Sequence, residues 1–292
     1  MTPAEQGLRF ECEGESLVGV LSVPASGTAS TLGVVIAVGG PQYRAGSHRQ
    51  FVLLARHLAA TGIPVLRFDV RGMGDSTGSF PGFEQLGPDL AASVQALRGA
   101  VPEVRRVAIW GLCDAASAAL MNATRIPGLA ALVLLNPWVR HADTYARTEV
   151  KKYYAQRLFD REFWRKLLAG QVQVGTAARE LTAKVWRMLR SYTRPTPSAA
   201  VAEPADFRER MVNGLLAFNG PQLYILAGRD HTCAEFLEFT GSHGRLSGLW
   251  QRPTLTRVDM PAADHTFSSA ELRAQVEVQT LQWLQRINAG QA

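Results

Sequence analysis

The sequence predicts an α/β protein with a mostly parallel central sheet flanked by helices and interrupted by an inserted helical cap. Two observations carry that expectation. Apolar runs of strand length alternate with segments of helical period from residue 33 to 138, and the same alternation resumes from 218 to 292. Between them, residues 139–217 form a long polar and aromatic stretch of helical character. Because the sheet pattern stands on both sides of it, this stretch reads as an insertion over the C-terminal strand ends rather than as a tandem domain. The expected division is a core of 1–138 and 218–292 and a cap of 139–217.

The elements follow in order. Alternation over Leu8–Gly14 and Leu17–Pro24 predicts an antiparallel strand pair at the N-terminus. After a Gly/Ser/Thr-rich loop, the run Gly33–Gly40 is apolar throughout, as in a strand buried on both faces. Phe51–Gly62 has helical spacing and a terminal glycine, and Pro64–Val70 is a strand. Residues 83–100 predict a helix that starts raggedly around Pro88. Arg106–Gly111 is a strand, Ala115–Ile126 a helix and Leu129–Trp138 a strand. Beyond the insertion come a strand at Gln222–Gly228, a helix around Cys233–Phe239, a last strand at Thr254–Met260 and a terminal helix at Glu271–Ile287.

Composition narrows the classes. The 292 residues, 47% of them hydrophobic, suffice for one large domain with an insertion. The first thirty residues lack a basic start followed by an apolar core. No apolar run approaches the roughly 18 residues of a spanning helix, so a soluble, unprocessed, cytoplasmic chain is expected. Three cysteines, Cys12, Cys113 and Cys233, without CxxC spacing argue against a disulfide framework or zinc site and for a reducing compartment. The net charge of +6 is spread without a compact tract, which favours a solvated basic surface over a nucleic-acid partner.

In an open parallel sheet, ligands bind beyond the carboxyl ends of the strands, so the residues that follow each strand matter most. They are Gly39, Gly40 and Gln42 after the third strand, Asp69 to Ser76 after the fourth, Cys113 after the fifth, Asp230 after the seventh and His265 after the eighth. Gly111-Leu112-Cys113-Asp114-Ala115 matches the small-x-nucleophile-x-small pattern of a strained strand-to-helix elbow, with cysteine in the usual serine place. There the thiol sits at a helix N-terminus, whose dipole favours a thiolate. A cysteine ending an apolar strand is, taken alone, most often an inert small hydrophobe. Asp230 and His265 downstream, in the order nucleophile, acid, base, change that balance.

His265 is the expected proton shuttle, and Asp230 the carboxylate that orients it, with Asp143 as rival acid. The bland role for Asp230 is to cap the following helix. Ser117, a helical turn past the elbow, is discounted as a nucleophile. The backbone N–H of Asp114 is one expected oxyanion donor. Pro41 has no N–H, so the second donor is Gly40 or Gln42. Tyr43, Arg44, His48 and Arg49 are candidates to line the entrance. Asp69, Arg71, Asp75 and Ser76 read as loop braces.

These residues carry a resemblance. Asp69-Val70-Arg71-Gly72-Met73-Gly74-Asp75-Ser76, the elbow at Cys113, Gly228-Arg229-Asp230 and Asp264-His265 together resemble the α/β-hydrolase superfamily over nearly the whole chain outside the cap. More narrowly, GGPQYRAGSHRQFVLLAR, RFDVRGMGDS, WGLCDAASAAL and LVLLNPWVR resemble the exosortase A system-associated hydrolase, type 1. That resemblance implies a setting at bacterial exopolysaccharide and protein-sorting loci rather than a substrate. The cysteine at the elbow is also similar to that of dienelactone hydrolases, within a different surrounding pattern.

The expected function is a Cys-His-Asp hydrolase or acyltransferase acting on a small-molecule ester or thioester, without cofactor or metal. Two alternatives stand beside it. One is a non-catalytic scaffold of the same fold. The other is a peripheral partner of polysaccharide machinery, in which the cap's aromatic residues interleaved with lysines and arginines make weak contact with an anionic membrane or carrier.

Overall fold

The computed structural model describes residues 3–25, 29–40, 42–140 and 206–290. Eight strands form one sheet in the order β1-β2-β4-β3-β5-β6-β7-β8. They are β1 (Ala4–Cys12), β2 (Glu15–Val23), β3 (Leu32–Ala37), β4 (Val65–Phe68), β5 (Arg106–Leu112), β6 (Leu129–Leu135), β7 (Gln222–Ala227) and β8 (Leu255–Met260). The expected N-terminal pair is a hairpin, β1 antiparallel to β2 across Glu13 and Gly14. Both turn residues have positive φ, 50° and 84°, which matches the right-handed twist of the flanking strands. β2 runs antiparallel to β4, and every pairing from β4 through β8 is parallel.

The described helices are α1 (Gln50–Ala60), α2 (Gly87–Ala100), α3 (Asp114–Asn122), α4 (Phe207–Ala217), α5 (His231–Ser242) and α6 (Ala270–Asn288). The ragged start expected before α2 is a short 3-10 turn at Phe83–Gln85, after which Pro88 sits in the first helical turn, where its missing N–H costs nothing.

The all-apolar β3 divides its side chains between two faces, because successive strand residues point opposite ways. Val34 and Ile36 join a cluster with Phe51, Leu54 and Leu58 of α1 and Trp283, Leu284 and Ile287 of α6. Val35 and Ala37 join the other cluster, with Leu90, Val94 and Leu97 of α2 and the alanines of α3. The sheet is therefore covered on both sides, and its strand ends are left as the surface for a site.

Residues Phe207–Ala217, placed by sequence at the end of the cap, belong instead to the same compact unit as the sheet. Their helix, α4, packs along α3 and buries Phe207, Met211, Val212 and Leu215 on one face. Gly214 makes the approach possible, since a Cβ there would overlap the carbonyl oxygen of Leu120. The rest of the segment, 141–205, lies outside the described residues.

β3 is the point at which the winding reverses: one crossover leads to β4 on one side, and the next passes back over β3 to β5 on the other. The carboxyl ends of β3 and β5 therefore flank the crevice that such a reversal opens.

Candidate active site

Cys113 stands at that crevice, immediately after β5 and as the N-cap of α3, with φ 62° and ψ −124°. The left-handed φ is costly for a non-glycine residue and is held by surrounding hydrogen bonds. Cys113 N–H donates to Leu135 O at 2.9 Å, and Cys113 O accepts from Trp138 N–H at 3.2 Å and Ala116 N–H at 3.1 Å. The small residue at position 111 has a direct cause. A Cβ on Gly111 would lie 2.9 Å from the Ala115 carbonyl carbon and the Ala116 nitrogen, inside the first turn of α3.

His265 follows β8 in the loop 261–269, and its Nδ1 lies 2.8 Å from Asp230 Oδ2. The Cys113 side chain is a second hydrogen-bond partner of the same ring. Since Nδ1 is taken by the carboxylate, Nε2 is the nitrogen left to face the thiol. Hydrogen bonds to Asp230 and then to Cys113 push the imidazole up to about 10, against its ordinary 6.5, which favours its protonated form.

Asp230 contacts both the first turn of α5 and His265. As N-cap of α5 it accepts from Thr232 N–H and Cys233 N–H, each at 3.1 Å, while Oδ2 also holds His265. One carboxylate thus joins the first turn of α5 to the histidine ring. The rival Asp143 lies outside the described residues, as do the cap's aromatic and basic side chains.

The turn after β3 departs from expectation. Gly40 N–H donates to Asp114 Oδ1 at 2.7 Å, and Gln42 N–H turns back onto Gly40 O at 2.9 Å. Each of the two candidate second oxyanion donors is thus already engaged within the protein. The Arg44 guanidinium is shared between Asp69 and Asp75, and its N–H donates to Asp69 Oδ1 at 2.7 Å. Tyr43 is exposed beside it.

The loop braces behave as the sequence suggests. Ser76 Oγ donates to Asp69 O at 2.7 Å and accepts from Val18 N–H at 2.9 Å, and Asp75 N–H donates to Asp69 Oδ2 at 3.1 Å. Arg71 binds buried Asp89 through its backbone and its guanidinium. Ser117 is wholly buried, and its Oγ donates to Trp138 O at 2.6 Å. Cys12 and Cys233 are buried free thiols, pushed up to about 11 and about 12, mainly by burial.

Sequence reasoning missed Asn136. It follows β6 with φ 43° and no exposed surface. Its Oδ1 accepts from Ala227 N–H at 2.9 Å and its Nδ2 donates to His265 O at 3.1 Å. One side chain thus ties the end of β7, three residues before Asp230, to the histidine itself. The signal available was an Asn at a strand end before Pro137, since asparagine tolerates left-handed φ better than most residues.

Among the described residues, no group of three or more His, Cys, Asp or Glu is arranged to hold a metal ion. None of the described helices is long and apolar enough to cross a membrane.

Comparison with known proteins adds a family. A model described as serine aminopeptidase, S33, matches residues 30–235, from the approach to β3 through the start of α5. The chain belongs to the serine aminopeptidase S33 family. Its members share the α/β-hydrolase architecture, and the fold here is that of an α/β hydrolase. The Pyrococcus furiosus esterase PF2001 superposes with a TM-score of 0.64 at 17% identity, covering 97% of this chain and 91% of that one. A dienelactone hydrolase from Anabaena variabilis gives 0.60 at 16% identity, covering 98% and 99%. Est1E from Butyrivibrio proteoclasticus, solved with ferulic acid bound, gives 0.60 at 15%, covering 96% and 98%. No curated protein matches the chain. The S33 family is named for serine, whereas the elbow of this member carries cysteine at 113.

Proposed function

We propose that this S33 family member is an acyl hydrolase that cleaves a small-molecule ester or thioester through Cys113. The observation that carries the reading is His265, hydrogen-bonded to Asp230 on one side and to the Cys113 side chain on the other. Membership in a hydrolase family and similarity in fold to solved esterases support it.

In this reading the charge pair of thiolate and imidazolium is the reactive form. Cys113 Sγ forms a bond to the acyl carbon and the carbonyl electrons move to oxygen. The oxyanion is met by the N–H of Asp114, with Gly40 as the second donor. Of the two candidates, Gly40 N–H is the one directed at the Asp114 side chain beside the elbow, whereas Gln42 N–H is turned into its own loop.

The bond from acyl carbon to the leaving oxygen or sulfur then breaks, with His265 Nε2 giving up its proton to the departing group. Neutral His265 next takes a proton from water, which attacks the thioester on Cys113 and releases the acid. Asp230 fixes the tautomer and compensates the imidazolium throughout. The resemblance of the sequence to exosortase-associated hydrolases supports a bacterial exopolysaccharide or protein-sorting setting, in the cytoplasm. An anionic membrane or carrier as a further partner belongs to the same proposal, through the basic residues of 141–205.

The test is rapid-quench intact mass spectrometry of wild type and Cys113→Ala, mixed with a panel of activated esters and acyl thioesters. The expected result is an acyl adduct on wild type that the variant lacks. No adduct and no turnover, with Cys113 sluggish toward iodoacetamide at neutral pH, would replace the enzyme reading with that of a non-catalytic scaffold.

A further inference from the structure

The two backbone N–H groups assigned above to the oxyanion stand beside an anion-forming group of the protein's own. The Asp114 carboxyl accepts hydrogen bonds from Gly40 N–H, at 2.7 Å, from Ala115 N–H and from its own N–H. Gly40 and Asp114 are the two residues whose N–H groups the proposed chemistry aims at the substrate oxygen. The seat is built for the carboxyl. A Cβ on Gly39 would overlap Asp114 Oδ1 and would lie 2.5 Å from Leu112 O, so only glycine lets the side chain lie against the turn after β3.

We propose that Asp114 is the internal occupant of the oxyanion hole, and that acyl transfer requires its carboxyl group to leave Gly40 N–H. This inference rests on the reading of Cys113 as a nucleophile and deepens it. A carboxylate and a tetrahedral oxyanion are both negative and both acceptors, so they cannot share one N–H at one time. Substrate must therefore displace the carboxyl before charge develops on its carbonyl oxygen, and the free energy of that displacement is added to the barrier. Burial works the other way, holding the Asp114 carboxyl above its usual range against the N–H groups that favour its charge, and so moderates that cost. Asp114 thus sets the reactivity of the site by competing with the reacting atom rather than by assisting it.

The decisive variants are Asp114→Ala, which empties the hole, and Asp114→Asn, which keeps the size and the acceptor but removes the charge. Two rates are measured on Cys113 in each protein: acylation by an activated acyl ester, which passes through an oxyanion, and alkylation by iodoacetamide, which does not. Releasing one charge-assisted hydrogen bond corresponds to roughly tenfold or more in rate. Asp114→Ala is therefore expected to acylate about tenfold faster than wild type, and to gain more in acylation than in alkylation. Asp114→Asn is expected to fall between the two, and its uncharged, isosteric side chain guards against a folding defect in the alanine variant.

Equal gains in both reactions would overturn the proposal, since a carboxylate acting only on the thiol would produce them. Acylation of all three proteins at one rate would overturn it while leaving the nucleophile assignment intact. No acylation of any of them would overturn both.

Discussion

Replacing Asn136 by alanine tests how the histidine loop is held. The wild-type side chain is fully buried and makes two hydrogen bonds, to Ala227 N–H at 2.9 Å and to His265 O at 3.1 Å. Alanine leaves the buried N–H of Ala227 and the part-buried carbonyl of His265 unpaired, at about 1–3 kcal/mol each. It also places a Cβ without a compensating local hydrogen bond at φ 43°, which adds about 1 kcal/mol. The expected loss is about 3–7 kcal/mol, a large share of the ~5–15 kcal/mol that holds an ordinary domain together.

Denaturant titration of wild type, Asn136→Ala and Asn136→Gly measures that loss. The glycine variant is expected to recover about 1 kcal/mol of it, because glycine relieves the backbone and not the hydrogen bonds. Where the variants remain folded, kcat for ester turnover should fall about tenfold or more, since a histidine displaced by even 1 Å is poorly placed for proton transfer. A loss below about 1 kcal/mol with kcat unchanged would refute the reasoning. It would mean that neither Ala227 N–H nor His265 O depends on this side chain.

Three further outcomes are expected. His265 binds its proton more tightly in the folded protein, at about 10, than at its ordinary 6.5. Its stabilisation is therefore complete below about pH 6.5 and is lost as pH rises through about 10; denaturation midpoints of wild type should decline over that window. Asp230→Asn keeps a good N-cap for α5 but removes the charge that holds the imidazolium, so an NMR titration should find His265 shifted toward its ordinary value and the alkaline decline flattened, and an unchanged His265 titration would count against Asp230 as its partner. Gly214→Ala forces α4 away from the Leu120 carbonyl on α3 and should cost about 1–3 kcal/mol in thermal or chemical denaturation, whereas a neutral result would show that α4 does not bear on the helix carrying the elbow.

The sequence by itself determined what depends on local chemistry. The apolar runs at 33–40, 106–111 and 222–228 had to be central strands because they offer no polar face. The residue after each strand end is then a candidate for the site, which is why Cys113, Asp230 and His265 stood out without any knowledge of where the strands lie. Gly111 before the elbow is legible for the same reason, since strain in a tight turn is a property of neighbouring residues. The helix at 207–217 was not, because its apolar face looks alike whether it covers a cap or α3.

Only the tertiary structure decided the hydrogen bonds between loops. Asp114 and Gly40 are 74 positions apart, and Asn136 and His265 are 129 apart. Nothing in their own stretches of sequence signals the partner. Those distances close because the crossover at β3 brings the ends of β3 and β5 side by side, and because β6, β7 and β8 stand next to each other in register. A side chain's hydrogen-bond partner is set by what the winding of the sheet places within about 3 Å of it, and that proximity is a property of the folded whole.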